Sequence, residues 1–164
     1  MLTSSISRKF IALTALFLML HISADSHAPV RAAHLIGDVT VEILFEHHES
    51  FQAAYDAYEP ESILPSKDLP ELEVYILFGS WCHDSQREVP KFLQLLHRLD
   101  ISEQQIHLIG LSVDKHEPKG RETLFDVTKT PTFVLHKNEI EIGRITEKPI
   151  VSLESDLQTI LDRY

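Results

Sequence analysis

The sequence predicts an α/β fold with a central mixed β-sheet flanked by helices on both faces. Three observations predict it. Residues 74–78 and 106–113 are short apolar runs on either side of an amphipathic stretch, the pattern of a βαβ unit. Residues 132–135 and 139–145 are strand-forming segments that meet at Lys137-Asn138, the pattern of a hairpin. A helical period closes the chain. A parallel pair joined by a helix, followed by antiparallel strands, requires a mixed sheet.

The elements follow in order. Arg8 and Lys9 precede an apolar run over residues 10–20, and small residues come next. The run is short for a bilayer span and fits a signal peptide, residues 1–24, cut after Ala24. An uncleaved N-terminal anchor is the alternative. Residues 25–44 read as a lead-in and residues 45–164 as the folded domain. A first helix is expected over residues 49–58, because Phe51, Ala54, Tyr55 and Tyr58 share one helical face. Pro60, Pro65 and Pro70 punctuate the loop after it.

Residues 74–78, bounded by Gly79, read as a buried strand. Residues 84–99 read as a helix with Val89, Phe92, Leu93, Leu96 and Leu99 inward. Arg87, Glu88, Lys91, Gln94 and Arg98 are expected outward, and Pro90 should kink the helix by removing a backbone donor. The second strand covers residues 106–113, and residues 122–127 suit one or two helical turns. After the hairpin, Ser152 should cap a helix over residues 153–163, with Leu153, Leu157, Ile160 and Leu161 inward.

Composition narrows the function classes. The formal net charge is −10 and no Lys/Arg-rich run is present, so nucleic-acid backbones would be repelled. The acidity reads as solubility. No glycine-rich phosphate loop occurs. Adjacent His47 and His48 do not share a helix face, and neither a metal nor another cofactor is expected. Export means an oxidising compartment, periplasmic or extracellular, where disulfides persist. Yet the chain has one cysteine, Cys82, so it has no internal disulfide.

Cys82 stands in Gly79-Ser-Trp-Cys-His-Asp-Ser85, at the join of a predicted strand and helix. A thiolate there lies near the positive end of the helix dipole, which favours a reactive thiol over an inert one. With Trp81 before the cysteine, Pro90 eight residues after it and Thr130-Pro131-Thr132 before the hairpin, residues 45–163 resemble the thioredoxin superfamily. The run from Gly79 to Pro90 is closer to small thioredoxin-like proteins with Asp-Ser after the cysteine than to thioredoxin itself.

The resemblance implies a thioredoxin-like fold, a cis Pro131 against the active cysteine, and substrate docking by the backbone at Thr130. It also implies a nucleophilic Cys82 beside Trp81. Ser85 replaces the resolving cysteine and cannot release a mixed disulfide, although its hydroxyl could hydrogen-bond the thiolate or the local backbone. His83 could stabilise the thiolate, and Asp84 suits the first helical turn. Ile76 replaces an acid that assists resolution in many thioredoxins. The implied activity is monothiol thiol–disulfide exchange with disulfide- or thiol-bearing proteins, completed by an external thiol. The rival expectation is a redox-silent binding module that docks a protein partner. No nucleic acid and, after leader cleavage, no stable membrane partner is expected.

Overall fold

The computed structural model describes residues 33–60, 69 and 71–163. The expected signal peptide and Pro65 and Pro70 of the proline-rich loop lie outside these residues. All described residues belong to one unit, residues 31–164.

The order is β1 (Gly37–Val39), α1 (Val41–His47), α2 (Glu49–Ala57), β2 (Leu72–Phe78), α3 (His83–Arg98), β3 (Ile106–Gly110), α4 (Arg121–Leu124), β4 (Thr132–Lys137), β5 (Ile140–Thr146) and α5 (Leu153–Leu161). A 3₁₀ turn, Glu103–Gln105, precedes β3. The five strands form one sheet in the order β1-β3-β2-β4-β5. β2 and β3 are parallel, and the remaining pairs are antiparallel. The sheet is therefore mixed, and β2 is central, with Ile76 beside Leu108 on one side and Phe133 on the other.

Alternation along the strands gives the sheet two apolar faces. One carries Val74, Ile76, Phe78, Leu108, Phe133 and Leu135, packed under α1, α2, α3 and α5. Phe92 of α3 meets Phe133 with ring centroids 4.4 Å apart, and both are fully buried. Burying each such side chain stabilises the fold by roughly 1.5–3 kcal/mol. The opposite face has a smaller cluster, Leu77, Ile109, Leu111, Val134 and Phe125, the last at the end of the single-turn α4. Beyond it Tyr75, His107 and His136 lie together, half-buried. Helices thus flank both faces, but unequally.

Residues 37–47, expected in the lead-in, fold as β1 and α1. The three-residue β1 is too short to show a period, and Thr40 starts α1 by accepting from the Ile43 N–H at 3.1 Å. His47 ends α1, His48 links it to the next helix, and α2 begins at Glu49. β3 stops at Gly110, because Ser112 and His116 close a turn on each other. The hairpin turns one residue later than expected, at Asn138 and Glu139, both with positive φ. Those are the angles of the turn that matches strand twist. Ser152 caps α5 as expected, accepting from the Ser155 N–H.

α3 contains Pro90 on its buried side and runs through it. Glu88, expected outward, is buried, and so is Leu95. The helix lies between α2 and α5, so its covered arc is wider than a single stripe. The Glu88 carboxylate accepts from Nε of Arg87.

The loop between β3 and α4 is tied to β1 by charge. Glu117, whose side chain is fully buried, accepts from the backbone N–H, Nε and Nη2 of Arg121. Arg121 also donates to Asp38 of β1, and so does Lys119. The Arg121 guanidinium holds the Glu117 carboxyl at about 2, against an ordinary 4.5. A lowered folded-state pKa stabilises the fold above the unfolded value, and the effect is lost as pH falls through the folded value. Glu117→Gln is expected to lower stability at pH 7 by roughly 1–3 kcal/mol, with the deficit shrinking below pH 4.5 and gone near pH 2. Urea unfolding of both chains across that pH range measures it.

Candidate functional site

The site forms where β2 ends and α3 begins. Gly79 follows the last residue of β2, and the Cys82 N–H donates back to its carbonyl at 2.9 Å, closing a tight turn. Cys82 is the N-cap of α3, with extended backbone angles, and its carbonyl accepts from Gln86 N–H in the first helical turn. The uncapped N–H groups of that turn point towards the cysteine end of the helix. Cys82 is a free thiol, half-buried.

Its sulfur donates to the carbonyl of Thr130 at 3.4 Å. The Thr130–Pro131 peptide is cis. Thr130 and Pro131 are both buried. Around them, Thr132 Oγ1 donates to the Lys129 carbonyl, the Glu147 N–H donates to the Pro131 carbonyl, and Lys129 pairs with the Glu147 carboxylate. The end of β5 therefore holds the proline loop in place against the thiol.

Ser85 is fully buried, and its Oγ accepts from the Gly79 N–H at 3.2 Å. Of its two expected partners, the backbone is the one found; no hydrogen bond joins Ser85 to Cys82. Ser85 is thus a tie across the turn. Trp81 lies half-buried with its indole Nε1 donating to the Leu111 carbonyl at 2.9 Å. Its ring covers Gly79, where a Cβ would come within 2.5 Å of the indole. His83 is exposed. Asp84 pairs with Arg87, which also binds Glu88, and the two carboxylates together raise the Arg87 pKa. Ile76 is fully buried in the main core, so no acid lies at that point of β2.

Cys82, Ser85, Trp81, Thr130 and Pro131 are thus brought to one place, whereas His83 faces solvent. Two residues of the site were not anticipated. Ser80 is buried; its Oγ accepts from the Leu35 N–H at 3.1 Å, and its carbonyl accepts from Gln86 Nε2 at 3.0 Å. Gln86 could have been suspected from its place one helical turn after Cys82. Nothing in the sequence pairs residue 35 with residue 80.

The sheet order, the cysteine opening the helix after β2 and the proline opening β4 define a thioredoxin-like fold. No protein-family model and no curated protein matches the chain. Among solved structures it is similar to a thioredoxin from Fasciola hepatica, at 23% identity over 57% of this chain and 80% of that one, with a TM-score of 0.41. It is also similar to the germline-specific thioredoxin Deadhead of Drosophila melanogaster, at 16% identity over 76% and 97%, with a TM-score of 0.41. A crystallised HIV epitope-scaffold protein aligns at 15% identity over 79% and 94%, with a TM-score of 0.54. At such identities the likeness is one of fold.

Gly79→Ala is expected to push the indole off Gly79 and break its bond to Leu111, because the ring atoms are within 3 Å of the added methyl. Trp81 is the only tryptophan, so its fluorescence should shift to longer wavelength as the ring enters water. Unchanged emission would show that the ring does not depend on Gly79.

Proposed function

We propose that the chain is an exported monothiol thiol–disulfide exchange protein that acts through Cys82. The observation that carries this reading is the placement of the Cys82 sulfur. It is half-exposed at the first turn of α3 and 3.4 Å from the Thr130 carbonyl, beside the cis Pro131. The first turn of α3, with its free N–H donors, suits the sulfur to act as the nucleophile of disulfide exchange. Arg8, Lys9 and the apolar run over residues 10–20 support export to a compartment in which substrate disulfides exist.

The chemistry runs in two displacements. The Cys82 thiolate attacks one sulfur of a protein disulfide; a Cys82–substrate disulfide forms, the substrate bond breaks and the other substrate sulfur leaves as a thiolate. With serine at position 85, no thiol of this chain displaces the substrate. A second thiol, either that leaving sulfur's neighbour in the substrate or a small external thiol, attacks the mixed disulfide. The new disulfide carries the second thiol, and Cys82 returns as the thiolate. The substrate class is therefore disulfide-bearing protein: a second thiol from the substrate gives isomerisation, and where the substrate is a mixed disulfide with a small thiol, attack by Cys82 on the small thiol's sulfur frees the protein thiolate and an external thiol then carries the small thiol away. Thr130 and Pro131 line the approach to the sulfur and are the residues that meet the substrate chain.

Capture of covalent partners without added reductant, compared with Cys82→Ala, tests this. Partners that are released by dithiothreitol and missing from the variant are expected. Equal recovery by both chains would mean that the fold docks its partners and the thiol is silent. Ser85→Cys gives a second test. Cys82 is the N-cap of α3 and Ser85 its third residue, a pair whose side chains can reach each other across the first turn. An internal disulfide should form in that variant, and the captured species should become scarcer.

A further inference from the structure

The segment before β1 touches the thiol turn, and no expectation from the sequence gave it a role. Residues 35–36 run across Gly110 at the end of β3. The Leu35 carbonyl lies 2.3 Å from where a Cβ on Gly110 would be, so only glycine admits this strap. Leu35 then turns its N–H onto Ser80 Oγ at 3.1 Å, while its side chain packs against the main core. Ser80 is 2% exposed, and its carbonyl is held from the other side by Gln86 Nε2. Ser80 directly precedes Trp81 and Cys82, and Trp81 is fixed through Leu111, the residue after Gly110. The strap and the first turn of α3 thus meet on one buried serine, and the residue after β3 holds its neighbour Trp81.

We infer that Ser80 is a positioning residue for the Cys82 thiol, and that the Leu35 strap and Gln86 act through it. This rests on Cys82 being the reacting group. A peptide held at its side chain by the strap and at its carbonyl by α3 has little freedom to rotate. The next two residues, Trp81 and Cys82, inherit that restraint. The sulfur is thereby kept beside the N–H groups of the first turn of α3, the setting of a reactive thiol, and 3.4 Å from the Thr130 carbonyl. Without the strap bond, the turn keeps its Gly79–Cys82 and Gly79–Ser85 closures but loses the restraint one residue before the indole.

The full chain carrying Ser80→Ala, Ser80→Thr or Gln86→Ala should be compared with the parent for the rate of Cys82 alkylation by iodoacetamide between pH 5 and pH 10. Ser80→Ala is expected to slow alkylation at pH 7 by at least about threefold and to move the midpoint of the rate–pH curve upward. Ser80→Thr keeps the hydroxyl acceptor and should restore the parent midpoint. Gln86→Ala should move it in the same direction by less, and it decides the matter if Ser80→Ala does not fold. Ile160→Val, a mild truncation in the core beneath α5, controls for lost stability and should leave the midpoint alone. Folded Ser80→Ala or Gln86→Ala with the parent midpoint would overturn the inference, as would an equal shift in Ile160→Val. A parent thiol no faster than an unstructured cysteine peptide would instead overturn the proposed exchange function.

Discussion

The structure around the thiol depends on a single spatial constraint, the missing side chain at Gly79. The Trp81 ring occupies the space a methyl would need, the Gly79 carbonyl accepts from Cys82, and its N–H donates to Ser85. One residue thus makes the strand-to-helix turn tight, seats the indole and ties the first turn of α3 to the end of β2. Every other contact of the site adds to that turn. Thr130 meets the sulfur from just ahead of β4, Leu111 meets the indole from just past β3, and Leu35 meets Ser80 from ahead of β1. Three separate parts of the chain converge on seven consecutive residues.

Ser85 has a structural part of its own in the turn. At a position 0% exposed, a hydroxyl turned to the Gly79 amide satisfies a donor that would otherwise be buried unpaired. An unsatisfied buried amide costs about 1–3 kcal/mol. The serine is therefore accounted for by the turn alone, and its presence needs no contact with sulfur. Ile76 behaves alike, filling the core where an acid would need a partner.

Most of the sheet and the long helix were legible because their signals are local. Residues 74–78 alternate little and are buried on both sides, and the stripe from Val89 to Leu99 keeps its spacing through Pro90. The thiol, Trp81 and Thr130-Pro131 were legible as a short pattern whose members the fold then brought together. The unread parts depend on distant neighbours. β1 is three residues that become a strand only by pairing with β3. Glu88 looks like a surface residue until α2 and α5 flank its helix. The Leu35–Ser80 bond spans 45 positions and uses a backbone donor, which every residue but proline possesses.

The two edges of the sheet differ in a way that bears on how the protein meets other chains. β1 presents a three-residue rim, and Asp38 on it is engaged by Lys119 and Arg121. So short a rim offers an incoming strand too few backbone partners to hold it. The opposite rim, β5, is seven residues long, but a register break at Leu135–His136 and the Arg144–Glu141 pair interrupt it. Bulges and charges on a rim are what keep an open sheet from recruiting further strands. On the proposed exchange reaction, a partner joined through sulfur and not also stitched to these blunted rims by its backbone would be released when the covalent link is broken.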